Sequence, residues 1–517
     1  MGSLTIKTNG QTLVAASFTN QAGTTQPLYS DAALTSQVSL PATITADTTY
    51  YARDGLCVPT IKQSDGTALW STAVHVRSEV NRTISPLPSF EQLAEDTANL
   101  AATFGQLQRS GIVVWGDSHF ENGGGDSAGQ SSATFKTLRT RGAVNWALAR
   151  LRQRGKLLHN GGVGGERTDQ ILARFATDVS AYNPGIVVLN GGTNDISQLV
   201  TASAGTVTTT VATIKTNLTA AINLIIGIGA RPLVVTLPPN SAYSANQLLA
   251  WAQVNRWITS LPTTVKGVTV CDWTPPVVST AGAWATGMTY DNTHASSIGA
   301  ARMSVPLAAA LDKLLPAQDP LPAYTDSMDL LTNGSMTGTG GTAGTGITGS
   351  VAAGWLMLPS TGTVTAVASK VVRTDNVPGE WQQIAISAVG ASSNGVRLFR
   401  DIDAGKWSVG DVVVGYAEFE TDSDLTVSSL SQFFFQIVVI TATGNAWALY
   451  NANTDSLNDP TCRLSSGVLR TMPFTIPSGA TGFRAHFEVD GATGTFRVGR
   501  VSVVNLTTAA ALGLTLN

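Results

Sequence analysis

Between residues 109 and 316, short apolar runs alternate with stretches of helical periodicity, and this alternation restricts the fold more than any other feature of the chain. Strands are expected at 112–115, 157–159, 186–190, 232–237 and 268–272, with helices near 132–153, 168–179, 205–227, 245–260 and 296–315. Continuous apolar strands belong to a sheet buried on both faces, and a helix between successive strands makes that sheet parallel. The expected core is therefore α/β, a parallel sheet with helices on both faces. Ligands of such sheets sit beyond the carboxyl ends of the strands.

The residues that follow each strand form a chemically coherent set. After the first strand comes Gly116-Asp117-Ser118-His119, and after the second the glycine-rich run from Asn160 to Thr168. Gly191-Gly192-Thr193-Asn194-Asp195 follows the third strand, and Asp291-Asn292-Thr293-His294 lies in a loop after the fifth. A serine hydroxyl needs a base to take its proton and a carboxylate to orient that base, roles open to Ser118, His294 and Asp291. The oxyanion of acyl transfer needs preorganised donors, here the N–H groups of Ser118 and Gly165 and the side-chain amide of Asn194. The Gly-Asp-Ser tripeptide recurs at Gly125-Asp126-Ser127, where Gly129 completes a G-x-S-x-G pattern. Loop sequence precedes that serine, whereas a nucleophile elbow needs a buried strand there, so Ser127 reads as a turn residue.

The blocks "GDSH", "NGGVGGERT", "GGTND" and "DNTH", in this order, resemble the SGNH (GDSL-type) hydrolase family. The resemblance implies a three-layer α/β/α domain with a flavodoxin-like five-stranded parallel sheet. It also implies Ser118 as nucleophile, Asp291 and His294 as its partners, and Ser118, Gly165 and Asn194 as the oxyanion hole. No metal or organic cofactor is required. His119 stands where the family name has Leu, a departure that bears on acyl specificity. His119, Arg167, Trp284 and Tyr290 are candidates for the substrate cleft, although Arg167 reads rather as a salt-bridge or surface residue, and Trp115, Trp284 and Tyr290 read as core or cleft wall. His75, His159 and His486 have no sequence partners that suggest a metal and are taken as structural.

Residues 1–82 alternate β-prone pieces with Gly, Asn and Asp turns and read as a small β domain. A linker helix is expected over 83–108, with Ser89 as N-cap. The α/β domain spans 109–316, and 317–329 form a Pro-containing linker. Strand-like segments without a helix of any length fill 330–508, a β-sandwich, before a tail at 509–517. The "LLTNGSMTGTGG" opening, Trp355 in "AAGWLML" and the closing "FRVGRVSVVNL" are similar to carbohydrate-binding modules of jelly-roll type. Trp355, Trp381, Trp407 and Trp447 are more often core than sugar platforms in such a domain. The segment "PLYSDAALTSQVSLPATITADTTYYA" resembles small β modules at the front of bacteriophage tail and fibre proteins.

Charged residues make up 13% of the chain, 31 basic against 34 acidic, with no long run of one sign. That balance gives no electrostatic footprint for nucleic acid. Cys57, Cys271 and Cys462 are too scattered for a disulfide framework or metal cluster. Neither a signal peptide nor a membrane span is legible. The combined expectation is a carboxylic ester hydrolase of a virion or other extracellular assembly, removing O-acetyl groups from a bacterial surface polysaccharide. The phage resemblance implies a homotrimer attached through the N-terminal domain. A lipid or small-ester hydrolase and a non-catalytic glycan receptor are the alternatives.

Overall fold

The computed structural model describes residues 2–6, 13–20, 36–39, 41–46, 48–52, 55–63, 68–70, 74–76, 82–84, 110–126, 136–201, 203–316, 328–427, 432–453, 459 and 462–511. They fall in two compact units, Met1–Phe104 and Gly105–Asn517. The first contains β1 (Gly2–Ile6), β2 (Leu13–Asn20), β3 (Ala42–Ile44), β4 (Thr48–Ala52), β5 (Gly55–Gln63), β6 (Ala68–Trp70), β7 (Val74–Val76) and β8 (Arg82–Ile84). One sheet has the order β4-β1-β8; the other has β3-β2-β5-β6, with β7 beside β5. The linker helix expected over 83–108 lies outside the described residues, apart from 83–84, which end β8.

In the second unit, β9 (Gly111–Gly116), β11 (Lys156–Gly162), β12 (Ile186–Leu189), β13 (Arg231–Val235) and β14 (Thr269–Cys271) form a five-stranded sheet in the order β11-β9-β12-β13-β14. All neighbours are parallel. Successive side chains of a strand point to opposite faces, so each strand feeds two cores. Val113, Trp115, Val187 and Leu189 pack with Ile214, Leu218, Val254 and Ile258 on one side. Ile112, Val114, Ile186 and Val188 pack with Trp146, Ala147, Met303 and Leu307 on the other. The helices are α1 (Ser118–Glu121), α2 (Ala143–Arg150), α3 (Thr168–Ala173), α4 (Phe175–Asp178), α5 (Thr193–Leu199), α6 (Ala204–Gly227), α7 (Ala245–Thr264) and α8 (Ser297–Asp312).

Three expectations need correction. The helix expected over 132–153 is only α2, because Thr137–Leu138 form a short strand, β10, paired in parallel with Leu449 and Tyr450. The helix expected over 168–179 breaks at Arg174, whose guanidinium bonds the carbonyls of Gly161 and Gly116. The strand expected over 157–159 continues through Gly162, since its glycines pair with β9 to the end.

The C-terminal region adds two sheets. One is eight-stranded; the other is seven-stranded and begins with β10 of the α/β region. Their shared core holds Phe419 of strand Val412–Thr421 against Phe433 of strand Gln432–Thr441, ring centroids 4.9 Å apart and nearly edge-on. Phe487 meets Phe433 at 5.0 Å and 88°, the edge-to-face geometry that aromatic quadrupoles favour. Trp355 and Trp381 are buried and Trp407 packs against the core; the Trp447 side chain is not among those described. A short helix, α9 (Leu506–Ala511), ends the described chain where none was expected.

The α/β region and the C-terminal sheets pack within this one compact unit. Gly467 lies against α2 so closely that a Cβ would come within 2.7 Å of the Ala149 carbonyl oxygen. Gln153 donates to the Val468 carbonyl at 2.8 Å and Arg470 to the Leu157 carbonyl at 3.3 Å.

Candidate active site

Strand β9 is buried along its whole length and delivers the chain to the carboxyl edge of the sheet. There Asp117 caps α1, its Oδ1 accepting the His119 N–H at 3.0 Å. Ser118 is the first helical residue, so its hydroxyl emerges at the turn between strand and helix. Glycine is needed just before: a Cβ on Gly116 would lie 2.5 Å from the Asn190 carbonyl oxygen.

The loop before α8 brings the base. Asp291 Oδ1 accepts the backbone N–H groups of Thr293 at 2.9 Å and His294 at 2.7 Å, a tight turn that Asn292 completes at φ 71°. Asp291 Oδ2 then meets His294 Nδ1 at 2.6 Å, and His294 Nε2 meets Ser118 Oγ at 2.8 Å. Burial raises the Asp291 carboxyl, but the imidazole and two amides outweigh it and hold the group below its ordinary value. An ionised carboxylate only accepts, so Nδ1 carries the proton and Nε2 presents its lone pair to the serine. This arrangement can deprotonate Ser118 during nucleophilic attack.

Across the serine lies the loop of Gly165, which adopts φ 80° with open space where a Cβ would sit. Asn194, in the first turn of α5, donates to the Glu166 carbonyl at 2.9 Å, and Gln198 donates to the Gly165 carbonyl at 3.0 Å. These two bonds fasten the loop to α5. Among the described residues the N–H groups of Ser118 and Gly165 have no hydrogen-bond acceptor. They are unspent donors.

Supporting groups were not legible from spacing. Arg174 bonds Glu166 at 2.8 Å as well as the ends of β9 and β11. Asp195 accepts the Thr168 N–H at 2.9 Å and the Thr168 hydroxyl at 2.7 Å, tying α5 to α3. Asp195 adjoins Asn194 in the "GGTND" block, and that adjacency was the only signal for it.

The residues expected in the cleft separate. His119 is buried, its Nε2 without a partner, and its ring lies 5.3 Å from that of His294; burial drives its pKa down to about 3, so the ring is neutral. Trp284 belongs to the hydrophobic core, where Trp115 also lies buried on the opposite face of the sheet. Arg167 is turned toward Asp169 and Gln198 at 3.2 Å. Tyr290 alone stands open at the mouth, 43% exposed, stacked on His294 at 5.9 Å and 20°.

Ser127 lies outside the described residues. Asp126, before it, accepts from the Asn160 N–H at 2.7 Å and pairs with His159 Nδ1 at 2.8 Å. His486 bonds Glu488 at 2.6 Å. Among the described residues no cluster of metal-ligating side chains occurs, and no helix is long and apolar enough to cross a membrane. Cys271 and Cys462 are buried thiols outside any disulfide, pushed up to about 12 by burial.

Residues 114–302 match the GDSL-like Lipase/Acylhydrolase family. No curated protein sequence matches the chain. Among solved structures, a GDSL-like lipase from Bacteroides thetaiotaomicron VPI-5482 is 17% identical, with TM-score 0.29, over 44% of this chain and 96% of that one. An acetylxylan esterase from Geobacillus stearothermophilus is 14% identical, with TM-score 0.31, over 40% and 97%. Tailspike protein 4 of bacteriophage CBA120 is 13% identical, with TM-score 0.24, over 34% and 21%. The four blocks at the strand ends all lie within the segment 114–302 that matches the GDSL-like lipase/acylhydrolase family.

Proposed function

We propose that the protein is a serine esterase that removes O-acetyl groups from a bacterial surface polysaccharide. The observation that carries the esterase reading is the continuous chain Asp291–His294–Ser118, closed by contacts of 2.6 and 2.8 Å. Ser118 Oγ attacks the ester carbonyl while its proton passes to His294 Nε2. The N–H groups of Ser118 and Gly165 and the Asn194 amide receive the oxyanion. Collapse expels the sugar alkoxide, which takes the proton back from His294, and water then releases acetate from the acetyl-serine by the same route.

The polysaccharide reading is supported by the C-terminal region, which we assign as a jelly-roll β-sandwich that binds glycan. On the sheet face turned away from the aromatic core, Arg484 lies opposite Asp401 and over the buried Phe399 ring, presenting a partly exposed polar edge. Exposed polar side chains of this kind can hydrogen-bond sugar hydroxyls. In the same reading the N-terminal unit attaches a homotrimer to a phage tail.

The test is acetate release from purified acetylated surface polysaccharide by the intact protein, Ser118→Ala and Ser127→Ala. Loss with Ser118→Ala alone supports the assignment. Cleavage of p-nitrophenyl acetate without release from any glycan moves the substrate to lipids or small esters. Silence on both leaves a binding protein.

A further inference from the structure

We infer that the alcohol half of the ester carries a carboxylate, and that Arg141 with Tyr290 recognises it. The inference rests on the esterase reading and adds the chemical class of the substrate.

The site's own chemistry decides which rim faces the sugar. The leaving oxygen must take its proton from His294 Nε2, so the alcohol lies on the imidazole side of Ser118, away from the Gly165 and Asn194 donors that hold the carbonyl oxygen. That rim is formed by the exposed ring of Tyr290, stacked on His294, and the Arg141 guanidinium lies 3.6 Å above the Tyr290 ring centroid.

Arg141 is placed by the fold. Its loop is anchored by Thr140, whose hydroxyl meets that of Ser297 at 2.8 Å and whose carbonyl accepts the Trp146 indole N–H at 2.7 Å. Its guanidinium rests on an aromatic face and hydrogen-bonds the Tyr290 side chain, contacts that orient the planar cation and leave further N–H donors of its fork available.

The surrounding cations are differently disposed. Arg167 is paired with Asp169, and Arg174 with Glu166 and Asp178. Arg141 has no carboxylate within ion-pair distance among the described residues. Asp291, the nearest acid in sequence to Tyr290, bonds Thr293 and His294 and also reaches the Tyr290 side chain, yet forms no ion pair with Arg141. An oriented guanidinium without an ion pair at the exposed rim matches a sugar carboxylate, which takes charge-assisted N–H bonds from the donors that Tyr290 does not use. A neutral sugar would leave the cation idle.

The matched probes are the O-acetyl esters of glucuronic acid and of glucose, which differ only in the C6 carboxylate, with p-nitrophenyl acetate alongside. The intact protein should show a kcat/KM ratio of acidic over neutral ester of about tenfold or more, the scale of one charge-assisted pair. Arg141→Gln should collapse that ratio, Arg141→Glu invert it, and Arg141→Lys retain part of it. A fold defect would lower both sugar esters together and leave the ratio unmoved. Equal rates on the two esters, or a ratio unchanged in Arg141→Gln, would overturn the inference while p-nitrophenyl acetate cleavage keeps the esterase reading standing. Failure to cleave any of the three would remove both.

Discussion

Asp117 sits directly behind the nucleophile, fully buried, with Oδ1 on the His119 amide and Oδ2 without a partner. Burial lifts its pKa to about 7, helped by Asp195 and opposed by the His119 N–H and His294. The unfolded chain releases this proton near pH 3.8 and the folded protein keeps it to about 7, so stability from this group is full below that window and is lost as pH rises through it. The loss is on the order of 4 kcal/mol. Asp117→Asn should remove the pH dependence, and urea denaturation of both proteins from pH 4 to pH 8 will show whether their difference changes in that sense. A second prediction concerns Asn194. Its replacement by alanine removes one oxyanion donor and should lower kcat on p-nitrophenyl acetate by about two to three powers of ten. Ser118, His294, Asp291 and Asn194 were legible because acyl transfer needs those side chains at strand ends. Asp117 and Arg141 were not, because burial and stacking depend on neighbours more than a hundred residues away in sequence, such as Tyr290 over Arg141.

At the scale of elements, the parallel strands were read from their apolar runs, and the errors fell where distant partners override local pattern. Thr137–Leu138 sit in a stretch of helical character, yet they pair with Leu449 and Tyr450, more than three hundred residues downstream. The break before α4 has a similar cause, since Arg174 is held by carbonyls of two strands. The strand Val412–Thr421 shows the same dependence in a charged group. Glu418 is fully buried and receives Arg373 at 2.8 Å, Arg500 at 3.2 Å and Arg152 from beyond α2. Burial alone would raise its pKa, but the three guanidinium groups hold it at about 2. Its stabilisation is therefore present above the ordinary carboxylate pKa and is lost as pH falls toward 2. Glu418→Gln removes the carboxylate shared by Arg500, Arg152 and Arg373, the last of which keeps Asp375, and should cost about 3 kcal/mol, measured by chemical denaturation at neutral pH. An unchanged midpoint would show that water neutralises those arginines.

For the whole molecule, the boundary suggested by the prolines near residue 320 separates two patterns of sequence but not two independent bodies. One hydrophobic core runs from Leu148 and Leu307 of the α/β region to Phe419 and Val498 of the C-terminal sheets. Strand β10, Gly467 against Ala149 and the Arg470 bond to β11 all cross between them. Ending the chain at residue 316 would uncover apolar surface of α2 and leave β10 without its pairing strand. Apolar burial stabilises by about 25 cal/mol per Å², and no surface of the shortened chain replaces what is lost. The shortened protein should accumulate as aggregate and lack activity even on p-nitrophenyl acetate, a substrate that needs no glycan contact. Such a loss would report folding, whatever the C-terminal sheets bind. Their part in recognition has to be tested by substitution on the sheet face turned away from the aromatic core, with Arg484→Ala expected to weaken retention on acetylated polysaccharide while p-nitrophenyl acetate turnover stays at its original rate. If the shortened chain instead proves soluble and active, the two regions fold separately and their shared core contributes little to the α/β domain.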